Sequence, residues 1–183
     1  TQTALLSTNL DKLTLRDDEN LSINDANINM TYFVNDNSFE ADANYKTAYL
    51  SYEANINQKL LFTTESKYKS SLDAIITKQP IELPFKSIHA DIFGDIDNMK
   101  ANIKAGTLDF EISSKDYNYF IIQGQSDNLA LSFLDSLPEE LKKDIVSFKT
   151  NAYMYISPFS VKGKINIDDT YFKTDGDFEL HKT

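Results

Sequence analysis

The sequence predicts a mainly-β protein, an antiparallel meander of about ten or more amphipathic strands that form a curved, elongated sheet or groove. Three observations carry this prediction: apolar and polar residues alternate over many short segments, Asn, Asp, Ser and Lys form candidate turns, and helix-like segments are scarce. Alternation with a period of two places the apolar side chains on one face of a sheet. The chain supplies little material to cover that face, so we expect the function to lie on it.

The first half of the chain contains most of the uncertain elements. Residues 1–15 fit a strand or a short helix. The apolar parity of the next strand changes after Asp25 and Ala26, which predicts a β-bulge or a short turn. A meander of strands is then predicted, with hairpin turns at Asn35–Ser38 and Asn57–Lys59. The predicted strands lie at about 38–46, 48–57 and 59–68, and residues 69–80 fit another strand.

The second half alternates more regularly. One interruption occurs, where residues 137–146 predict a short amphipathic helix with Ser136 as its N-cap, Pro138 and two acidic residues in its first turn. This helix would cover part of the sheet or plug one end of it. The other predicted strands lie at about 86–93, 98–105, 107–114, 118–126, 148–156, 159–168 and 171–181.

Composition limits the possible functions. The 183 residues fit one β-rich section covering 1–183, and both ends suggest a section excised from a longer protein. The net charge is −10 with a single arginine, Arg16, which argues against binding to nucleic acid because phosphates need clustered basic residues. Cysteine is absent, so disulfides and thiolate chemistry are excluded.

No catalytic motif appears, and we expect no enzyme activity and no cofactor. The two histidines, His89 and His181, lie far apart in the sequence, and packing at the surface explains them better than catalysis. The tightest acidic cluster is Asp91, Asp95 and Asp97. Apolar residues are interleaved with it, which favours a turn between strands over a metal site.

One short motif predicts a covalent modification. Asn20 begins an Asn-Leu-Ser acceptor pattern for N-linked glycans, and Asp18 lies two residues before it. This extended form resembles the acceptor used by bacterial N-linked glycosylation in the periplasm. Asn20 is therefore a glycosylation candidate in a predicted exposed turn.

The succession of amphipathic strands resembles the AsmA-like superfamily of bacterial envelope proteins, with its TamB-like and YhdP-like members. The segments 98–108, 161–167 and 172–180 carry this resemblance. It implies a periplasmic protein that is anchored in the inner membrane through flanking segments. It also implies an apolar β-groove that conducts phospholipid between the inner and outer membranes.

The sequence leaves two functions open. The first is a non-enzymatic groove that binds phospholipid or another acyl-chain ligand, and the second is a closed β-sandwich or barrel that acts as an interaction or scaffold module. Exposed strand edges also make self-association a possible interaction. The residues expected to line the groove share the apolar parity: Tyr52, Ala54, Ile56, Phe62, Met99, Ile103, Phe110, Ile112, Ile165 and Phe178.

Overall fold

The computed structural model describes residues 2–15, 18–49, 51–63, 65–133, 137–169 and 173–181. In this part of the chain, strands dominate and two short 3₁₀ turns are the helical elements. The predicted mainly-β, antiparallel meander is confirmed. The chain divides into two units, which meet in sequence between β6 and β7.

The first unit contains six strands, and each pairs antiparallel with the next along the chain. Short connections favour this order, because antiparallel neighbours need only a hairpin. The predicted turn at Asn35–Ser38 is confirmed, with Asn37 in the left-handed region at φ 42°. The strands are β1 (Thr3–Leu15), β2 (Asp18–Phe33), β3 (Ser38–Tyr49), β4 (Tyr52–Phe62), β5 (Tyr68–Lys78) and β6 (Ser87–Gly94).

The predicted bulge in β2 is confirmed. The register between β2 and β3 shifts between Asn24 and Asn27, and Asp25 has a φ of 52°. The Asp25 carboxylate lies 2.7 Å from Nζ of Lys46 on β3, while Ala26 is buried. The extra residue restores the apolar parity, so β2 keeps one apolar face along its length.

The predicted turn at Asn57–Lys59 is wrong, because these residues lie inside β4. Gln58 occupies an apolar-face position, where Nε2 donates to Oγ of Ser70 at 3.1 Å and Oε1 accepts from the Tyr45 hydroxyl at 3.2 Å. Hydrogen bonds across three strands therefore accommodate a polar residue that resembled a turn in the sequence. Residues 69–77 form most of β5.

The second unit also contains six strands that pair in chain order. Gly106 allows the tight β7–β8 connection with a φ of 60°, and Asp116 and Tyr117 are left-handed between β8 and β9. Among the described strands, β12 pairs with β11 and not with β7, so this unit is an open sheet. The strands are β7 (Asn98–Ala105), β8 (Leu108–Lys115), β9 (Tyr119–Ala130), β10 (Ile145–Tyr155), β11 (Ser160–Asp168) and β12 (Lys173–His181).

The helix expected at 137–146 is wrong. The structure has a 3₁₀ turn at Leu141–Lys143, and β10 begins at Ile145; Ser136, the expected N-cap, lies outside the described residues. A helix of this length is marginal by itself. Val146 instead pairs with Leu129 on β9 and is buried there, so the end of the segment forms part of the sheet.

Candidate functional site

Apolar side chains form rows across the six strands of the second unit. Directly opposed residues of antiparallel strands lie on the same face, with Cβ atoms about 5 Å apart. We call the face that these rows form the second apolar face. Its rows are Met99–Ser114–Phe120–Met154–Val161–Leu180, Ala101–Ile112–Ile122–Ala152–Gly163–Phe178 and Ile103–Phe110–Gly124–Thr150–Ile165–Gly176.

The structure brings six of the ten predicted groove residues onto this one face. They come from four different strands, and the register rather than the sequence spacing makes them neighbours: Met99, Ile103, Phe110, Ile112, Ile165 and Phe178.

The other four predicted residues lie on β4, on the apolar face of the first unit. Tyr52, Ala54, Ile56 and Phe62 are separated by even numbers of residues, so they share a face of one continuous strand. The ring of Phe62 stacks on that of Phe39, its register partner, with centroids 5.5 Å apart. These four residues belong to the first unit.

The large side chains of the second apolar face are only partly buried. Ile103, Phe110, Ile112, Ile122 and Phe178 are all half-buried, whereas rows covered by a second layer would be fully buried. Across the described chain, the buried apolar side chains larger than alanine are Ile56, Leu129, Leu131 and Val146. The sheet therefore carries an apolar surface with little of its own chain above it.

One end of this face is closed by a small core. Leu129, Leu131 and Val146 are buried together, and Leu137 from the loop before β10 packs against them. Leu108, Phe148 and Ile167 of the sheet join the same cluster. The loop, and not a helix, thus covers the end of the sheet.

Two phenylalanine rings reach over glycines of the face. A Cβ added at Gly124 would lie 2.4 Å from Cε1 of Phe110, and one at Gly163 would lie 2.7 Å from Cζ of Phe178. These glycines leave room for rings that would otherwise stand away from the sheet. The result is a low apolar surface with small residues beside each ring.

We expect Gly163→Ala to destabilise the second unit by about 1–3 kcal/mol, because the new methyl would also meet the Ala152 side chain and the Asn151 carbonyl oxygen within 3 Å. Gly176→Ala is the matched control, since its Cβ would find Cγ2 of Ile165 at 3.6 Å, an ordinary contact. Urea unfolding of both variants measures the difference. Equal stability of the two would contradict the described packing of Phe178.

The opposite face is polar and holds the charged side chains. Lys162 and Glu179 form an ion pair of 2.5 Å between β11 and β12.

In the first unit, His89 lies between two carboxylates: Nδ1 is 2.6 Å from Asp73 and Nε2 is 3.2 Å from Asp91. The hydrogen bond to Asp73 and then that to Asp91 raise the pKa of His89, and the His89 contact lowers the pKa of Asp91.

An NMR titration should give His89 a pKa above its ordinary value of about 6.5, and Asp73→Asn should lower it. Because the folded pKa is raised, the stabilisation is complete below the unfolded pKa and disappears as the pH rises through the folded pKa. The group is exposed, so the effect on stability is small. The variant His181→Gln assigns the two imidazole signals. An unchanged His89 pKa in Asp73→Asn would refute the contact.

In the described part of the chain, the remaining sequence candidates do not come together in one site. Asn20 lies in β2 rather than in a turn, near the shifted register between β1 and β2, and its side chain is outside the described residues. Asp91 lies in β6, whereas Asp95 and Asp97 lie between β6 and β7. Within the described ranges, no three His, Asp or Glu side chains are grouped to hold a metal ion.

Sequence reasoning missed several residues of the second apolar face. Phe120 and Ile122 lie in a continuous apolar run that includes Ile121, so the sequence alone left their parity ambiguous. Pairing of Ile122 with Ile112 resolves it. Met154 opposes Val161 across the β10–β11 turn. Val161 alternates with polar neighbours in the sequence, whereas Met154 lies between two tyrosines, which hides its parity.

No family model, curated protein or solved structure matches this chain. In the described part of the chain, no helix has both the length and the apolar character needed to cross a bilayer.

Proposed function

We propose that the second apolar face binds acyl chains of lipids, with phospholipid as the expected ligand, and that the protein is a non-enzymatic lipid-binding or lipid-conducting segment. The observation that carries this proposal is the set of apolar rows across six strands, whose large side chains remain half-buried. An apolar surface whose large side chains stay partly exposed to solvent is a candidate binding site.

The dimensions and energetics agree with an acyl-chain ligand. Six strands spaced about 4.8 Å apart span about 24 Å. One acyl chain occupies about half of a 30 Å hydrocarbon core, or about 15 Å, so it fits within that width. Each buried CH₂ contributes about 0.8 kcal/mol. The rings of Phe110 and Phe178 occupy the space above Gly124 and Gly163, which leaves small residues beside each ring along which a chain can lie.

The AsmA-like resemblance supports the same function and extends it to a place in the cell. We propose a periplasmic location, with anchoring to the inner membrane through flanking segments and transfer of phospholipid towards the outer membrane. Glycosylation at Asn20 would be consistent with that compartment. These proposals rest on the strand pattern of the sequence.

Native mass spectrometry of the protein purified from bacterial cells tests the proposal. We expect phospholipid masses to accompany the chain, and a fluorescent fatty acid to bind after the lipid is extracted. Heat-unfolded protein serves as the control for non-specific partition of the dye. A preparation without lipid that also fails to bind the fatty acid would refute the proposed function.

One observation favours a second function, an interaction or scaffold module. The cluster of Leu129, Leu131 and Val146 is a closed core of the kind that merely stabilises a β-sheet module. If a partner domain closes the rest of the face in the same way, the rows are packing residues. A charge placed on the face by Ile103→Asp distinguishes the two functions, because it should unfold a packed interior but only weaken lipid binding on an open face.

A further inference from the structure

Three tyrosines cluster on the polar face of the second unit, where alternation otherwise places charged and amide side chains. Tyr119 on β9 opposes Tyr155 on β10, with ring centroids 5.0 Å apart. The rings of Tyr119 and Tyr153 lie 5.9 Å apart and are nearly parallel, at 10°. Tyr153 is 40% exposed and Tyr155 43% exposed. The cluster therefore presents aromatic surface to solvent on the polar side of the sheet.

A cleft of about 650 Å³ adjoins this cluster, a volume within the range of small-molecule sites. Tyr153 forms part of its wall. Lys162 and Glu179, which pair with each other, supply two of its polar groups. Asn151, Lys164 and Asp177 supply the others, so hydrogen-bond donors and acceptors are mixed around one aromatic ring.

We propose that this cleft and the tyrosine cluster bind a neutral oligosaccharide. A pyranose ring has an apolar face of C–H groups that can lie on the Tyr153 ring, and hydroxyls around its edge that both donate and accept hydrogen bonds. Lysine and asparagine supply donors, and aspartate and asparagine supply acceptors. A strongly charged ligand would meet groups of its own sign among these residues, whereas hydroxyls match both kinds.

Charge argues against the other ligands that an exposed aromatic cluster can bind. The lining carries Lys162 and Lys164 against Asp177 and Glu179, so the cleft offers no cluster of basic groups for the phosphates of nucleic acids or of anionic headgroups. Asn151 and Tyr153 alternate with Ala152 and Met154 along β10, so these lining side chains lie on the face opposite the apolar rows. Gly163 and Phe178, which belong to the apolar rows, also line the cleft. The inference thus goes beyond the proposed lipid function and does not depend on it.

The test is a calorimetric titration of the full chain with three neutral sugars, maltohexaose, cellohexaose and hexa-N-acetylchitohexaose. We expect at least one of them to bind, Tyr153→Ala to weaken that binding about tenfold or more, and Tyr153→Phe to retain it. Tyr49→Ala, which removes an exposed tyrosine of the first unit, is the matched control and should leave binding unchanged. Thermal melts of the variants check that each is folded, and fatty-acid binding by Tyr153→Ala should equal that of the unaltered chain.

Three results would overturn the inference: no binding of any of the three sugars at about 5 mM, sugar binding that Tyr153→Ala leaves intact, or binding to anionic vesicles, without sugar binding, that is lost in Tyr153→Ala. Retained fatty-acid binding in the first case would separate this failure from a failure of the proposed function.

Discussion

Val146→Asp is expected to unfold the second unit, whereas Ile145→Asp should be tolerated. Val146 is 1% exposed within the cluster of Leu129 and Leu131, so a carboxylate there would be buried without a partner. Ile145, its neighbour in β10, is 59% exposed. We expect a loss of more than about 3 kcal/mol in the free energy of unfolding for the first variant, and a change within about 1 kcal/mol for the second.

Urea unfolding followed by circular dichroism measures both variants. The two substitutions introduce the same charge at adjacent positions of one strand, so strand propensity and net charge are matched. Similar stabilities for the two would mean that the Val146 cluster is not a closed core.

Ile103→Asp should behave differently: the fold should persist, and fatty-acid binding should fall about tenfold or more. Ile103 is half-buried on the second apolar face, where the introduced carboxylate can stay hydrated if no layer covers it. The same charge would place a polar group where acyl CH₂ groups must lie. Asn102→Asp puts the charge on the exposed polar face of the same strand and should leave both stability and binding unchanged.

Thermal melts and fatty-acid titrations of these two variants distinguish an open face from a closed one. If Ile103→Asp unfolds as readily as Val146→Asp, the face is a packed interior and the scaffold function is favoured. If it folds and still binds the fatty acid with unaltered affinity, the acyl chain does not lie along the Ile103 row.

The strand pattern and one fine detail of the fold could be predicted from the sequence. Alternation is a local signal, and it located β7 to the residue at Asn98–Ala105. A parity change at Asp25 located the bulge in β2 for the same reason, since the flip is visible within a few residues.

Local signals failed where a distant partner decided the structure. In the sequence, Gln58 resembled part of a turn. In the fold it lies in a strand, where it hydrogen-bonds to Ser70 and Tyr45 on the neighbouring strands. The segment before Ile145 begins with residues typical of a helix start. Val146, however, pairs with Leu129 on β9 and lies in a strand. Such pairings depend on register, which the sequence does not reveal directly.

The candidate site shows the same division. The sequence identified the apolar parity of Phe110 and Phe178, but not that each ring lies over a glycine that is its register partner on the adjacent strand. The tyrosine cluster was also missed, because Tyr119 and Tyr153 become neighbours only through the pairing of β9 with β10. Aromatic content alone predicted packing and did not distinguish the two faces.

Photo-crosslinking with a diazirine-bearing fatty acid tests the open lipid-binding face most directly, because the adducts report which side chains touch the acyl chain. Mass spectrometry of the digested protein should find adducts on residues of the second apolar face, such as Ile112, Ile122 and Ile165, and competition with phospholipid should remove them. Adducts confined to the polar face, on residues such as Asn102 or Gln123, would contradict an acyl-chain site on the apolar rows.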